Sequence, residues 1–405
     1  MRVFGMHEEN TLRQLEHVAI NATKVALMAD GHVGYVMPIG GVAGYRNLVS
    51  VVGVGFDIAC GNAAIRTNAT LGSLGGDRGK LSKTLNAIAD QIAATVSFGV
   101  GRKNQADDAP TDHPLFEDPG WEALPANARG NLKQKARTQL GTVGSGNHYV
   151  DVFADETEAI WVGVHFGSRG FGHTVASGFL AVGQGAKWGE RVPERETLLA
   201  LSSEVGRDYW ALMNLAGRYA YAGREWVARK VVAMLGAKEI ELVHNHHNFA
   251  WKEQHDGEEL VVVRKGATPA FPGQKGFIGG SMGDDAVIVQ GTHPREPATA
   301  ALQREALFST VHGAGRVMSR TQAAGKRNRQ GKVLSAGSVS PEMMHRWIEE
   351  KGVVLRGGGL DESPHAYRRL PKVLEAQGST IEVLHTLRPL VVVMAGAGEF
   401  DPYRD

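Results

Sequence analysis

The only cysteine of this chain, Cys60, lies in the run Val-Gly-Val-Gly-Phe-Asp57-Ile-Ala-Cys60-Gly-Asn, three residues after a carboxylate and with glycines close on both sides. Four further segments set histidines beside glycine or asparagine: Asn147-His148, His165-Phe-Gly-Ser-Arg169-Gly, His247-Asn248 and His312-Gly-Ala-Gly-Arg316. One thiolate, one carboxylate and several imidazoles at strand-to-loop junctions suit borderline-soft divalent metals. A thiolate can bridge two ions, and a nearby carboxylate can complete one of them. Coordination would also keep the thiol ionised at neutral pH. Alone, Cys60 would read as a small buried hydrophobe. The five segments together point to a site.

Residues His244-Asn-His246-His247-Asn248 offer three imidazoles within four positions. In an extended segment His244 and His246 share one face and His247 takes the other; spacing does not choose between the faces. His312-Gly-Ala-Gly-Arg316 differs in character. Its glycines let a phosphate approach backbone N–H groups at a helix start. Arg316 and Arg320 would lie on one face of that helix and clamp phosphate oxygens. His312 itself could bind metal, act as acid or base, or attack phosphorus.

The elements that must position these residues follow from patterning. Apolar spacing at Leu12, Leu15, Val18, Ala19 and Ala22 predicts a helix over 10–28, capped by Asn10. Short strands and turns are expected over 30–58, a helix over 82–96, and a polar surface excursion over 101–131. A buried strand over 159–165 would deliver His165 at its end. Mostly helix is expected over 194–235, strands over 239–243 and 259–263, and a closing strand over 390–394. Candidate ligands run from Asp57 to His312 with no linker between them, so one domain spanning 1–405 is expected. Glycine is 52 of 405 residues, roughly 13% against a usual ~7%, and it gathers in short loops beside polar residues. That suits tight turns and close backbone approach to a ligand. The net charge of +1 gives no global drive toward nucleic acid, though local patches such as Lys326-Arg327-Asn-Arg329-Gln-Gly-Lys332 remain. One cysteine, no signal-peptide pattern and no run of ~18 apolar residues predict a cytoplasmic protein with no membrane span.

The runs Gly-Thr142-Val-Gly-Ser-Gly-Asn147-His148, His165-Phe-Gly-Ser-Arg169-Gly, His246-His247-Asn248, Arg264-Lys265-Gly-Ala, Gly280-Ser281-Met282-Gly283 and His312-Gly-Ala-Gly-Arg316-Val-Met-Ser-Arg320 resemble the RtcB family of RNA ligases, in the family's order. The segments Asp30-Gly-His32-Val-Gly-Tyr and Ile39-Gly-Gly add to the likeness. The resemblance implies an α+β fold with a central β-sheet core flanked by helices and metals in a cleft. It implies joining of RNA 3′-phosphate or 2′,3′-cyclic phosphate ends to 5′-hydroxyl ends, with GTP and two Mn2+. Carried onto this sequence, His312 is the guanylylated nucleophile. One manganese falls to Cys60, His165 and His247, the other to Asp57, Cys60 and His148, leaving His244 and His246 as supporting residues. Asn147, Tyr149, Asp151, Asn248, Ser281, Ala314, Gly315 and Tyr367 fall where the family contacts GMP. Arg169, Arg316 and Arg320 fall where it contacts phosphates, and archease is an expected assisting partner.

Some positions depart from the family pattern. The terminal Val-Lys-Gly reads Met394-Ala395-Gly396, a guanine-reading glutamate is Asp151, a serine is Ala286, and Asp-Ile-Gly-Cys reads Asp57-Ile-Ala59-Cys60. The nucleophile and metal positions are all retained, and the changes gather around the nucleobase. An alternative on the same residues is therefore a nucleic-acid 3′-phosphate capping enzyme or a metal-dependent phosphoesterase that does not join. A third is a metal-dependent RNA-binding protein without turnover, against which the intact His312 segment argues.

Overall fold

The run Ala159–Phe166 is largely apolar and buried at every position, as a strand covered on both faces must be. It lies inside an eight-stranded sheet in the computed structural model, which describes residues 1–75, 77–327 and 333–399. Strand order across the sheet is Lys275–Ile278, Ala286–Gly291, Ile381–Gly396, Tyr149–Ala154, Ala159–Phe166, Gly61–Thr70 and Glu239–His246, each neighbouring pair antiparallel. Val354–Gly358 adds a parallel partner to Ile381–Gly396. The two edges curl toward each other. Asn62 Nδ2 donates to Phe277 O at 2.8 Å, and Phe277 N donates to Asn245 Oδ1 at 3.0 Å.

One face of this sheet packs Val150, Val152, Val162 and Val164 against Ile88, Ile92, Val227 and Val231 of the helices Arg78–Thr95 and Glu204–Met234. The other face gathers Phe153, Trp161, Phe277, Ile288 and Leu387. A second sheet has five strands, in the order Arg2–Val3, Lys24–His32, Ile39–Tyr45, Glu258–Lys265 and Asn248–His255. The chain crosses from the first sheet to the second at His247, between the strands Glu239–His246 and Asn248–His255. This is the α+β arrangement of sheet core and flanking helices. Among the described residues no helix is long and apolar enough to cross a membrane.

Several local expectations are corrected. The first helix is Glu9–Ala19, with Glu8 rather than Asn10 at its N-cap. The expected remainder is the strand Lys24–His32, whose interior residues are all buried. Val25-Ala-Leu-Met-Ala is apolar on every side, and sheet burial overrides the helical spacing that preceded it. The stretch 101–131 is not merely a surface excursion. Leu115, Phe116, Trp121 and Leu124 are buried in the core, and Trp121 Nε1 donates to Leu115 O at 2.9 Å. Within 194–235 the strand Leu198–Ala200 pairs with Leu48–Ser50, and the helix begins at Glu204, where Ser203 Oγ caps Gly206 N at 3.0 Å. No helix starts directly after His312. The next is Arg320–Ala324, so Arg316 and Arg320 do not share a helical face. Of the basic run 326–332, residues 328–332 lie outside the described residues.

Candidate metal and nucleotide site

Strand register brings four ligand candidates to one rim of the large sheet. Cys60 precedes the strand Gly61–Thr70, and Gly61 pairs with both Phe166 and His246. His165 pairs with Tyr149, so His148 and His165 stand beside each other. His247 follows His246 at the crossover. The loop that presents Cys60 is tight. Ala59 N donates to Asn248 O at 2.7 Å, and His247 N donates to Cys60 O at 2.8 Å. Ala59 sits at φ +61°, the left-handed region that glycine adopts most easily.

Two donor sets result, each with its ligand atoms within 4.8 Å of one another: Cys60, His165 and His247, and Asp57, Cys60 and His148. Cys60 belongs to both. Its Sγ lies 3.4 Å from His165 Nε2 and 3.6 Å from His148 Nε2, while His148 Nε2 lies 3.1 Å from Asp57 Oδ2. The far ring nitrogens are held: His148 Nδ1 by Val143 O at 2.9 Å and His165 Nδ1 by Asn62 Oδ1 at 2.7 Å. Donating Nδ1–H to those oxygens leaves each Nε2 lone pair facing the thiol. His247 Nδ1 is buried with no hydrogen-bond partner. An orphaned nitrogen beside a shared thiol and a carboxylate fits divalent-metal ligation, and two ions could share Cys60.

Electrostatics support the same reading. Burial and the nearby Asp57 push the Cys60 thiol well above its ordinary range, so a cation is needed to ionise it. Burial also works to raise Asp57, but its contacts with His148 and the charge of Arg169 outweigh it and hold Asp57 at about 2. Burial, joined by neighbouring histidines, depresses His165 and His247, which keeps both imidazoles neutral, the form that binds metal. A third group, Asp155, Glu156 and His385, is also close-set. Its oxygens are already occupied by Thr157, Ala159, Trp161, His385 and Thr386, so it serves a turn instead.

His312 enters from the second sheet's side, after the strand Ser309–Val311. It lies in neither donor set, although its ring centroid is 4.9 Å from that of His247. Asp30 Oδ2 accepts the backbone N–H groups of His312 at 3.0 Å and Gly313 at 3.2 Å. The same oxygen is 2.6 Å from His312 Nδ1, a close charge contact although the ring stands off the hydrogen-bond direction.

Every residue singled out from the sequence for metal, nucleotide or phosphate lines one cleft of ≈ 1000 Å³. Asp151 is buried with Oδ1 unpartnered, and burial raises its carboxyl well above the usual range against a backbone hydrogen bond from Val393. Tyr149 Oη is likewise buried and unpartnered. Asn248 Oδ1 accepts from Gly266 N at 2.8 Å, and Ser281 Oγ donates to Asp284 at 2.6 Å. Met394 lines the cleft and Ala395 does not. Arg169 lies 3.2 Å from His148 Nδ1. Arg316 and Arg320 converge on one buried carboxylate, Glu362: Arg320 at 2.7 Å, Arg316 at 3.4 Å. Tyr367 completes the group, its hydroxyl bonded to Glu362 and accepting from Arg316 at 2.8 Å. An incoming phosphate would compete with Glu362 for both guanidinium groups.

Sequence reasoning assigned no role to three residues that the structure makes prominent. Asp30 was noticed only as part of a segment. Glu362 had no signal. Arg224, 0% exposed, lies inside the long helix Glu204–Met234. It donates to Ala59 O at 2.9 Å, Phe166 O at 2.5 Å and His244 Nε2 at 2.9 Å, and approaches His246 Nδ1 at 2.8 Å. Thus His244 and His246 share a face and bind Arg224, while His247 turns to the metal sets.

Residues 11–395 match the family model described as "tRNA-splicing ligase RtcB". The chain is 31% identical to the RNA-splicing ligase RtcB of Escherichia coli (strain K12), over 91% of this chain and 89% of that protein. It is 32% identical to the tRNA-splicing ligase RtcB of Archaeoglobus fulgidus, over 95% of this chain and 91% of that one. Identity to the tRNA-splicing ligase RtcB of Thermococcus kodakarensis is also 32%, over 96% and 91%.

Proposed function

The chain belongs to the RtcB family, and on that premise we propose that it is an enzyme joining RNA 3′-phosphate or 2′,3′-cyclic phosphate ends to 5′-hydroxyl ends, with GTP and two Mn2+. The observation that carries the reading is the single cleft in which the two donor sets sharing Cys60 face His312. His247 sits where the chain crosses between the two sheets and Asp30 of the second sheet holds His312, which supports treating the chain as one catalytic unit. When bound, the metals would polarise phosphate oxygens and ionise Cys60.

In this mechanism Asp30 orients His312 so that Nε2 carries the lone pair. His312 attacks the α-phosphorus of GTP and pyrophosphate leaves. A 2′,3′-cyclic end is first opened by water, whose oxygen bonds to phosphorus while the P–O2′ bond breaks and the 2′-oxygen takes a proton. The resulting RNA 3′-phosphate, or one supplied as such, then takes GMP from His312 as the P–N bond breaks. The 5′-hydroxyl oxygen bonds to the 3′-phosphorus, loses its proton to solvent, and GMP departs with the broken P–O electron pair. Asn147, Tyr149, Asp151, Asn248, Ser281, Ala314, Gly315 and Tyr367 surround the nucleotide. Arg169, Arg316 and Arg320 balance phosphate charge. Guanine offers two adjacent N–H donors, and these favour the ionised form of Asp151 that burial otherwise opposes.

Under this reading the protein works in the cytoplasm, consistent with a cysteine that has no disulfide partner. Family members can be assisted by archease, and joining assays with and without it test whether this protein is. The decisive experiment incubates 3′-phosphate and 5′-hydroxyl RNA with protein, Mn2+ and each NTP in turn. A joined product with GTP and a protein adduct of GMP mass are expected. An adduct and a capped 3′ end without any joined product would replace the ligase reading with the capping one.

A further inference from the structure

The histidines of the cleft form a row. Ring centroids step 4.9 Å from His312 to His247, 5.1 Å to His165 and 5.4 Å to His148, and His148 meets Asp57 at 3.1 Å. Next to Asp57 in the chain, the cleft lining turns aromatic. Phe56 stands 6.5 Å from the Tyr35 ring at 88° and 5.6 Å from the His173 ring at 34°. Tyr35 is 56% exposed. Its loop is pinned: Gln14 Nε2 donates to Gly34 O at 2.7 Å and Tyr35 O at 3.1 Å, and Gln14 Oε1 accepts from Gly34 N at 3.0 Å. Lys135, exposed on the helix Ala126–Gln139, lines the same cleft, its Nζ close to Gly170. None of these aromatic residues takes part in metal or nucleotide contacts described above.

We propose that Tyr35, Phe56 and His173, with Lys135, seat the terminal nucleobase and adjoining phosphate of the 5′-hydroxyl RNA strand. Aromatic faces beside cations in an open groove are how single strands are held, because every base has a π-face and every linkage a charge. In-line displacement selects the strand. GMP leaves toward the His312 end of the row, so the attacking 5′-oxygen arrives from the opposite end, where Asp57 lies with Phe56 next to it in the chain and His173 against the Phe56 ring. The inference rests on the ligase reading and adds to it a place for the second substrate.

The test uses two short RNAs carrying 2-aminopurine, one as the first nucleotide of a 5′-hydroxyl end, the other as the last nucleotide of a 3′-phosphate end. The intact protein with Mn2+ should quench the first probe on binding. Tyr35→Ala should weaken that binding roughly 5- to 150-fold, the range a stacked base contributes. Phe56→Leu, which keeps bulk but not the ring, should weaken it in the same direction, and Tyr35→Phe should restore it. Equal affinity in wild type and Tyr35→Ala would overturn the assignment, as would Tyr35-dependent quenching confined to the 3′ probe. Joining by wild type is measured on the same preparation. Joining with Tyr35-independent binding defeats this inference alone; absence of joining and capping by wild type defeats the ligase reading beneath it.

Discussion

Asp30 Oδ2 stands 2.6 Å from His312 Nδ1 while accepting the backbone N–H groups of His312 and Gly313. One carboxylate oxygen thereby holds the main chain of the proposed nucleophile and faces its ring. Burial favours a neutral Asp30, but the contact with His312 and its backbone N–H groups outweighs it and keeps the carboxyl below its ordinary value. An ionised Asp30 retains the proton on Nδ1 and leaves Nε2 free to attack.

Asp30→Asn should therefore slow formation of the protein–GMP adduct by roughly 10²- to 10⁴-fold, the range for losing an oriented tautomer or base. Manganese binding measured by calorimetry should be unchanged, because Asp30 belongs to neither donor set. Undiminished adduct formation would show that backbone contacts alone position His312.

Arg224 is a second residue whose importance is visible only in three dimensions. It is fully buried among two carbonyls and two imidazoles, and no ion pair with a carboxylate forms among the described residues. Its positive charge lies where a Cys60 thiolate would need one. Burial lowers the guanidinium pKa, yet only to about 10, so it stays charged at neutral pH. Arg224→Lys keeps the charge but not the planar fork. It should weaken metal binding by roughly 10- to 100-fold, as loss of a supporting contact to a ligand loop does. Cobalt substitution provides the readout: the thiolate-to-cobalt absorption should titrate at higher metal concentration. A titration that matches wild type would reduce Arg224 to packing.

Much of the site was legible in the sequence, because chemistry-bearing residue types with glycine and asparagine neighbours occur in short blocks. Cys60, Asp57, His148, His165, His247 and His312 all reach the one cleft. What was hidden was either remote in sequence or chemically ordinary. Asp30 meets a histidine 282 positions away, and Arg224 sits among helix residues whose spacing announces only packing. The fold was legible where burial and periodicity agreed, as in Ala159–Phe166. It was misread at Lys24–His32, where apolar residues continue a helical pattern into a strand. The loop after His312 was also misread, because its glycines suit a helix start and a turn equally well.

Ala59 gives a stability prediction. A residue with a Cβ at φ +61° is strained by about 1–2 kcal/mol relative to the right-handed region. Ala59→Gly relieves that but adds unfolded-state freedom of about 0.4–1 kcal/mol and loses a buried methyl. The unfolding free energy should thus stay within about 1 kcal/mol of wild type. Ala59→Val, β-branched in the same region, should be clearly less stable. Denaturant unfolding checks both, and a large loss in the glycine variant would show that methyl packing, not the turn, governs the loop.

Acid should destabilise the metal-free protein in a defined window. Burial lowers His32 and His244 from an ordinary 6.5 to about 4. Between those values the unfolded chain takes up protons that the folded chain refuses, so stability falls as pH drops from 6.5 toward 4. Each group contributes about 1.4 kcal/mol per pH unit at most. His32→Gln should flatten the slope of unfolding free energy against pH in that interval. An unchanged slope would mean that His32 is protonated in the folded state.

His312→Ala separates nucleophile from ligand most sharply. The two donor sets are complete without His312, so manganese binding should persist, while the covalent GMP adduct should vanish. The variant should also seal an RNA supplied with a preformed 3′-diphosphoguanosine end, because the nucleophile is needed only before that species exists. All three quantities can be measured on one preparation. A persistent adduct would remove His312 from the mechanism, and simultaneous loss of metal would make it a ligand. If wild type forms the adduct yet neither protein seals the preactivated strand, Asp151, Ala286 and Ala395 mark a change of task. The cleft would then cap 3′-phosphate ends, because GMP transfer needs only the His312 end of the histidine row, whereas joining also needs a bound 5′-hydroxyl at the Asp57 end.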